Sequence, residues 1–394
     1  MRYDLDGVRR STPKGVLAAR QPTLWRYREL LPLDSPDDIV TLGESATPLI
    51  EAPTLGGQIG LHKLFIKDEG LLPTGTFKAR GAAVGVSRAR ELDVTAIALP
   101  TAGNAGAAWA AYGARAGIGV VVAMPADTPE VIRRETASYG ARVFLVDGSI
   151  AEAARAVRDA ITDYGWYDAS TLREPYRIEG KKTMGFELAE QLGWRVPDVV
   201  VYPTGGGVGL IGMWKAFQEL AAIGWIEAKL PRFVAVQSAG CAPIVKAFEE
   251  GKDESDPWPE PRTIASGLRV PKAFGDFLVL RALRESKGIA LAVEDDEIRE
   301  TIGLIASDEG VLPCPEGAAA VAAAYRLRQR EWLDEHDEVV VFNTGSGLKY
   351  GEALPGQPER LGAGEKIPLA AANPEQPFAF ERAFQIRAGE VRLN

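Results

Sequence analysis

Sulfur and imidazole are scarce in this chain. Of 394 residues two are cysteine, Cys241 and Cys314, and two are histidine, His62 and His336. They show no zinc-ligand spacing, so a Cys/His metal site is not expected, and nothing demands an oxidising compartment. Positive charge is also in deficit, with 45 Lys and Arg against 54 Asp and Glu, a formal net charge of −9. That balance argues against general nucleic-acid binding, which needs a basic face, yet leaves room for a locally positive pocket. No apolar run approaches membrane-spanning length. The opening Met1-Arg2-Tyr3-Asp4-Leu5-Asp6 lacks the apolar core of a signal segment. A cytoplasmic enzyme with neither membrane nor nucleic-acid partner is the expectation, and no repeat of solenoid length is present.

What the chain has is 46% hydrophobic content, enough for a large core in two lobes. Apolar runs at 64–67, 94–99, 118–124, 142–146, 199–201, 233–236 and 339–341 read as strands. Helical runs start near Thr76, Asn104 and Pro129, the proline taking a first helical position. Strand and helix in alternation predict an α/β fold with mostly parallel sheets covered by helices. Residues 1–40 are polar and proline-punctuated, with Trp25-Arg26-Tyr27 packing on the main body. Residues 251–261 read as a surface loop, and 353–394 as a tail or an arm on a neighbouring subunit.

Four loop segments carry candidate chemistry. In Pro73-Thr74-Gly75-Thr76-Phe77-Lys78-Ala79-Arg80-Gly81, a lysine sits where a turn opens into a helix, with Thr74 and Thr76 available as caps. Lys78 is either a solvated lysine at a helix start or an amine desolvated for Schiff-base chemistry. Thr101-Ala102-Gly103-Asn104-Ala105-Gly106 joins a strand to a helix, a natural seat for a carboxylate. There Asn104 either caps the helix or offers its amide to a ring oxygen. Pro203-Thr204-Gly205-Gly206-Gly207-Val208-Gly209 can curl its amides into an anion nest or serve only as a turn. It lacks the Gly-Lys-Ser/Thr of a nucleotide loop and the dinucleotide spacing. Asn343-Thr344-Gly345-Ser346-Gly347 ends a strand, and its hydroxyls either meet a ring nitrogen or satisfy their own backbone.

Taken together these segments resemble the fold-type II, tryptophan-synthase β-like pyridoxal 5′-phosphate enzymes, and within them the threonine synthases. The resemblance spans about 42–350 and includes Arg177-Ile178-Glu179-Gly180-Lys181-Lys182-Thr183 and the opening Gly43-Glu44 with Ala46-Thr47-Pro48-Leu49. It implies two lobes, each with a mostly parallel sheet flanked by helices. Residues 42–90 and 173–350 would form the large cofactor-binding lobe and 91–172 a small mobile lobe. An arm of 1–41 and a tail of 351–394 complete the division. Lys78 resembles the Schiff-base lysine and main acid/base, with Phe77 beside the ring and Asn104 on its oxygen. Gly205, Gly206, Gly207, Val208 and Gly209 resemble the phosphate loop, and Thr344 the partner of the ring nitrogen. Thr101, Ala102, Gly103 and Ala105 resemble the substrate-carboxylate loop. Arg177, Thr171 and Lys181 are the candidates for a leaving phosphate.

The implied activity is conversion of O-phospho-L-homoserine and water to L-threonine and phosphate, by a homodimer acting on a small amino-acid substrate. Three departures from the threonine-synthase pattern point elsewhere. Ala102 replaces a hydroxyl residue, Leu172 stands where a hydrogen-bonding residue is common, and the glycine loop is closer to the dehydratase version. Serine or threonine ammonia-lyase chemistry, or β-replacement, is therefore the alternative, and a non-catalytic cofactor-binding paralogue the third reading. Trp109 and Tyr112 read as core residues, Glu294-Asp295-Asp296-Glu297 as a helix start, and Cys314 as an inert buried thiol.

Overall fold

The computed structural model describes residues 1–356, 358, 360–364 and 380. Among the described residues ten strands make two sheets: β1 Leu49–Glu51, β2 Lys63–Asp68, β3 Ala96–Pro100, β4 Gly119–Pro125, β5 Arg142–Val146, β6 Tyr167–Asp168, β7 Val199–Pro203, β8 Arg232–Ser238, β9 Ile289–Val293 and β10 Glu338–Asn343. The larger sheet runs β1-β2-β10-β7-β8-β9 and the smaller β5-β4-β3-β6. All neighbours are parallel except β1, which lies antiparallel on β2. The central strands β7 and β10 are buried along their whole length, because helices cover both faces. That burial explains why they read as unbroken Val runs rather than alternating patterns.

The predicted strands appear with ends shifted by at most two residues, and β5 spans the expected 142–146. Val94 and Thr95 stay outside β3, and Pro129 caps the helix Glu130–Ser138 from outside instead of taking its first position. The expectation that Thr74 or Thr76 caps the helix Lys78–Glu91 is overturned. Phe77 stands at its N-cap, with no side-chain bond, and both threonine hydroxyls are buried without a partner. Glu294 and Glu297 form a capping box at the helix Asp295–Glu309. Trp109 and Tyr112 are buried in the core of the smaller-sheet half. The N-terminal segment packs on the larger sheet's helices through Leu17, Tyr27 and Leu30. Of the tail, Phe380 stacks on Tyr325 at 4.5 Å; the remaining tail reading, as an arm on a neighbour, falls largely outside the described residues. Among the described residues no helix is long and apolar enough to cross a membrane.

A buried ionic cluster fixes the helix that begins at Lys78. Arg80 donates to Glu69 at 2.6 and 2.8 Å and to Glu187 at 2.9 and 3.1 Å. Lys67 pairs with the same Glu187 and reaches Gln191 at 2.8 Å. The two cations and two anions are all buried, and together they join β2, the helix Lys78–Glu91 and the helix Tyr176–Gln191. These two helices meet so closely that a Cβ on Gly180 would lie 2.1 Å from the Arg80 carbonyl. Glycine is required there by contact, not by backbone angle.

Candidate active site

Three strands of the two sheets end at one cleft. β3 ends at Pro100, β7 at Pro203 and β10 at Asn343, and the helices Asn104–Ala116 and Val208–Ile223 begin just beyond the first two. Open α/β sheets place ligands at such carboxyl edges, where helix N-termini turn their free amides inward. The cleft holds a cavity of about 440 Å³. All the residues named as site candidates line it: Phe77, Lys78, Thr101, Ala102, Gly103, Asn104, Ala105, Thr171, Arg177, Lys181, Gly205, Gly206, Gly207, Val208, Gly209 and Thr344.

Lys78 opens its helix with its Nζ 3.9 Å from the centroid of the Phe77 ring. Burial pulls its amine down to about 8; Glu316 acts the other way, Arg177 adds to the fall, and Cys314 opposes it. The structure thus places this lysine's amine in a desolvated setting, not in solvent. Lys181 lies 4.5 Å from the same ring. Burial lowers its amine well below the lysine range, and the charges of Lys78 and Arg177 deepen the effect.

Arg177 sits at the start of the helix Tyr176–Gln191 and is 4% exposed. It pairs with Glu174 at 3.1 Å, donates to Thr171 Oγ1 at 3.0 Å and to the Ala169 carbonyl, and lies 5.4 Å above the Trp109 ring. The pairing with Glu174 is therefore interior, not on the surface. Burial raises the Glu174 carboxyl above its usual range, and Arg177 opposes that rise.

Asn104 does not cap its helix. Gly103 holds the cap position, while the Asn104 amide donates to the Tyr350 hydroxyl at 2.7 Å and its Oδ1 is buried with no partner. Thr101 folds back onto Gly103, donating to its carbonyl at 3.2 Å and accepting from its N–H at 3.1 Å. Ala102 brings no side-chain donor, so contacts from this loop come chiefly from backbone.

The glycine loop is shaped for an anion. A Cβ on Gly206 would meet only the Thr171 Cγ2, at 3.9 Å, and so would project into open cavity. On either side the loop is tight: a Cβ on Gly205 would lie 2.1 Å from the Gly267 carbonyl, and one on Gly209 1.9 Å from the Tyr202 hydroxyl. The helix Val208–Ile223 begins within this loop, adding its positive end. Thr344 stands 3.6 Å from the Cys314 sulfur, and burial holds that thiol well above its usual range, with Glu316 adding to it. Cys314 accepts from the Gly317 N–H and caps the helix Pro315–Gln329, the behaviour of a structural thiol.

A buried amine, a side-chain amide with a second N–H to offer, a glycine cradle at a helix N-terminus and a hydroxyl at a strand end together fit pyridoxal phosphate. Sequence reasoning missed Glu316 and Tyr350. Glu316 accepts from the Gly267 N–H at 2.6 Å and from the Tyr350 hydroxyl at 3.2 Å. The helix start at Cys314-Pro315 was a usable signal for Glu316, whereas the irregular loop holding Ser266 and Gly267 carries no pattern.

Comparison with known proteins agrees with this chemistry. The family model "Pyridoxal-phosphate dependent enzyme" matches residues 40–345. The threonine synthase of Methanocaldococcus jannaschii is 35% identical over 89% of this chain and 86% of its own length. That of Methanosarcina acetivorans is 36% identical over 88% and 84%, and that of Mycobacterium tuberculosis 34% over 85% and 88%. Among solved structures, a fungal L-serine ammonia-lyase from Rhizomucor miehei has a TM-score of 0.67 at 23% identity, covering 78% of this chain and 98% of that one. Maize serine racemase has a TM-score of 0.68 at 24% identity, covering 78% and 90%. These two show the fold alone. The chain belongs to the pyridoxal-phosphate dependent enzyme family, among its threonine synthases.

Proposed function

We propose that this enzyme converts O-phospho-L-homoserine and water to L-threonine and phosphate. The observation that carries the reading is a group of basic side chains gathered in the cavity. Lys78, Lys181 and Arg177 all line it in a protein of net charge −9. Lys78 serves as the amine that holds the cofactor, which leaves Lys181 and Arg177 for a second anion. Among the described residues no carboxylate stands within ion-pair distance of Lys181. Burial favours the uncharged form of the Lys181 amine, and an arriving phosphate would supply the counter-charge that lets it take up a proton.

The cofactor, when bound, draws electrons from the substrate's Cα. The chain's residues do the rest. Gly205 to Gly209 hold the cofactor's phosphate, Asn104 faces its ring oxygen and Thr344 its ring nitrogen, with Phe77 against the ring. Lys78, once released, takes and returns the protons at Cα and Cβ. The backbone of Thr101, Ala102, Gly103 and Ala105 holds the substrate carboxylate, while Arg177, Thr171 and Lys181 hold the leaving phosphate. In this reading residues 91–172 form a small mobile lobe over a large lobe of 42–90 and 173–350, flanked by the 1–41 arm and the 351–394 tail. A cytoplasmic homodimer belongs to the same proposal. Exposed Leu71 and Leu348 offer apolar surface for it on neighbouring turns, and sedimentation tests the assembly.

One observation favours the elimination reading. Leu172 has φ +63, and its Cδ1 would lie 2.7 Å from a Cβ on Gly275; an apolar side chain here adds no phosphate contact. Incubating the holoenzyme separately with O-phosphohomoserine, serine and threonine decides between them. Phosphate and threonine from the first substrate support the proposal; 2-oxo acid from serine or threonine, with phosphohomoserine untouched, replaces it with the ammonia-lyase. Absence of lysine–cofactor absorbance in the purified protein would point to the non-catalytic paralogue.

A further inference from the structure

The segment after β10 continues through Gly347-Leu348-Lys349-Tyr350, and Lys349 has no part in the site described so far. It closes the 3-10 turn Gly347–Lys349 and is 7% exposed. Its Nζ donates to the Thr74 carbonyl at 2.8 Å and to Glu135 Oε2 at 2.5 Å. Thr74 lies in the turn Pro73–Gly75, four residues before Lys78. Glu135 lies on the helix Glu130–Ser138, which packs on β5 and on the helix Asn104–Ala116. One buried ammonium thus joins the turn that presents Lys78 to a helix of the smaller-sheet half.

That turn has one closing bond of its own, from the Gly75 N–H to the Leu72 carbonyl at 2.8 Å. Thr74 has φ +60 and ψ 16, a left-handed conformation unfavourable for a β-branched residue, and its Oγ1 is buried without a partner. The stretch is held from outside, largely by the segment that follows β10. Gly75 accepts from the Ser346 N–H at 2.9 Å, Thr76 pairs with Gly345, and the Phe77 N–H donates to the Thr344 carbonyl at 3.1 Å. Lys349 adds the contact at the strained residue itself. Burial lowers its amine below the usual lysine range, and Glu135 opposes that fall.

We propose that Lys349 is a positioning residue that makes the geometry of the Lys78 turn depend on Glu135. With Glu135 in place the ammonium keeps its charge and holds the Thr74 carbonyl. Without it, Lys349 is a buried cation lacking a counter-charge, and its hold on the turn weakens. A second ion pair between the same halves, Arg269 to Asp127 at 2.7 and 3.0 Å, touches neither Thr74 nor the turn. It therefore separates this coupling from a general inter-sheet attraction.

The proposal rests on Lys78 being the cofactor-holding amine, which borohydride trapping in the parent holoenzyme establishes first. Trapping elsewhere overturns that reading of the site and this proposal with it. With the cofactor trapped at Lys78, hydrogen exchange of the 75–77 amides and kcat are measured in Glu135→Gln, Lys349→Met, the double variant and Asp127→Asn. Glu135→Gln keeps the side chain's shape, so the test survives if Lys349→Met fails to fold. Faster exchange and a loss of about tenfold in kcat are expected for Glu135→Gln, the scale of one charge-assisted hydrogen bond. Lys349→Met should lose as much and the double variant no more, with Asp127→Asn within about twofold of the parent. Parent-like exchange and kcat in Glu135→Gln, or an equal loss in Asp127→Asn, overturns the coupling.

Discussion

The Asn104 side-chain amide is oriented by Tyr350, whose hydroxyl accepts from it at 2.7 Å and donates in turn to Glu316 at 3.2 Å. The group assigned to the cofactor's ring oxygen is thus aimed by a residue from the segment that follows β10. Tyr350→Phe should leave Lys78 reactive but loosen the cofactor by about fivefold, the scale of one neutral hydrogen bond. Equilibrium dialysis of the cofactor measures the change; an unaltered Kd removes Tyr350 from the site.

The buried amine of Lys78 sets a pH dependence. Below about 8 it is protonated and cannot attack the cofactor's carbonyl carbon, so capture by apoenzyme should fall about tenfold per pH unit. Above that value capture should level off. Stability follows the same sign. The unfolded chain binds more protons between about 8 and 10.5, so apoenzyme stability should rise with pH through that window. Stopped-flow absorbance across a pH series is the check, and a midpoint in the ordinary lysine range would contradict the burial. Lys78→Ala should abolish both the absorbance and turnover.

Gly206→Val should weaken cofactor binding at least tenfold, the scale of losing charge-assisted phosphate contacts, while leaving the melting temperature close to the parent's. Its side chain would enter the space assigned to phosphate, where only Thr171 stands nearby. Gly209→Ala should instead damage the fold, since its Cβ would meet the Tyr202 hydroxyl. Thermal melts with and without added cofactor separate the two effects.

Arg177→Ala should cut kcat/KM for phosphohomoserine about tenfold or more, with cofactor loading nearly normal. It should also lower the melting temperature, because Glu174 is left buried without its partner. The companion Arg177→Ala, Glu174→Gln should recover stability without recovering turnover. Parent-like turnover in Arg177→Ala would falsify its assignment to the phosphate.

Glycine and proline punctuation around Lys78, Asn104 and Gly206 made much of this arrangement legible in sequence, because the chemistry needs turns at strand ends. Val runs such as 199–201 and 339–341 marked the central strands, where burial on both faces forbids polar residues. Strands β1, β6 and β9 were not read from the sequence; β1 and β6 are too short for an intrinsic pattern, and their pairing comes from neighbours. Asn104 as a cap was a local inference, and the long-range hydroxyl of Tyr350 overrode it. Glu316 had a local signal in the helix start at Cys314-Pro315, but its partners Gly267 and Tyr350 lie far away along the chain, and no local spacing announces them.

The cluster of Arg80, Glu69, Glu187 and Lys67 has a consequence for how this protein can change over time. Its charges cancel only as a set. Loss of any one leaves an uncompensated buried ion, a penalty of about 3–5 kcal/mol, while a coordinated apolar replacement of similar volume can be neutral. Every single-step substitution here therefore passes through a badly destabilised intermediate. Two of the four positions lie on the helices that carry Lys78 and Arg177, so the frame of the site is guarded against gradual drift and would be rebuilt only by several changes at once.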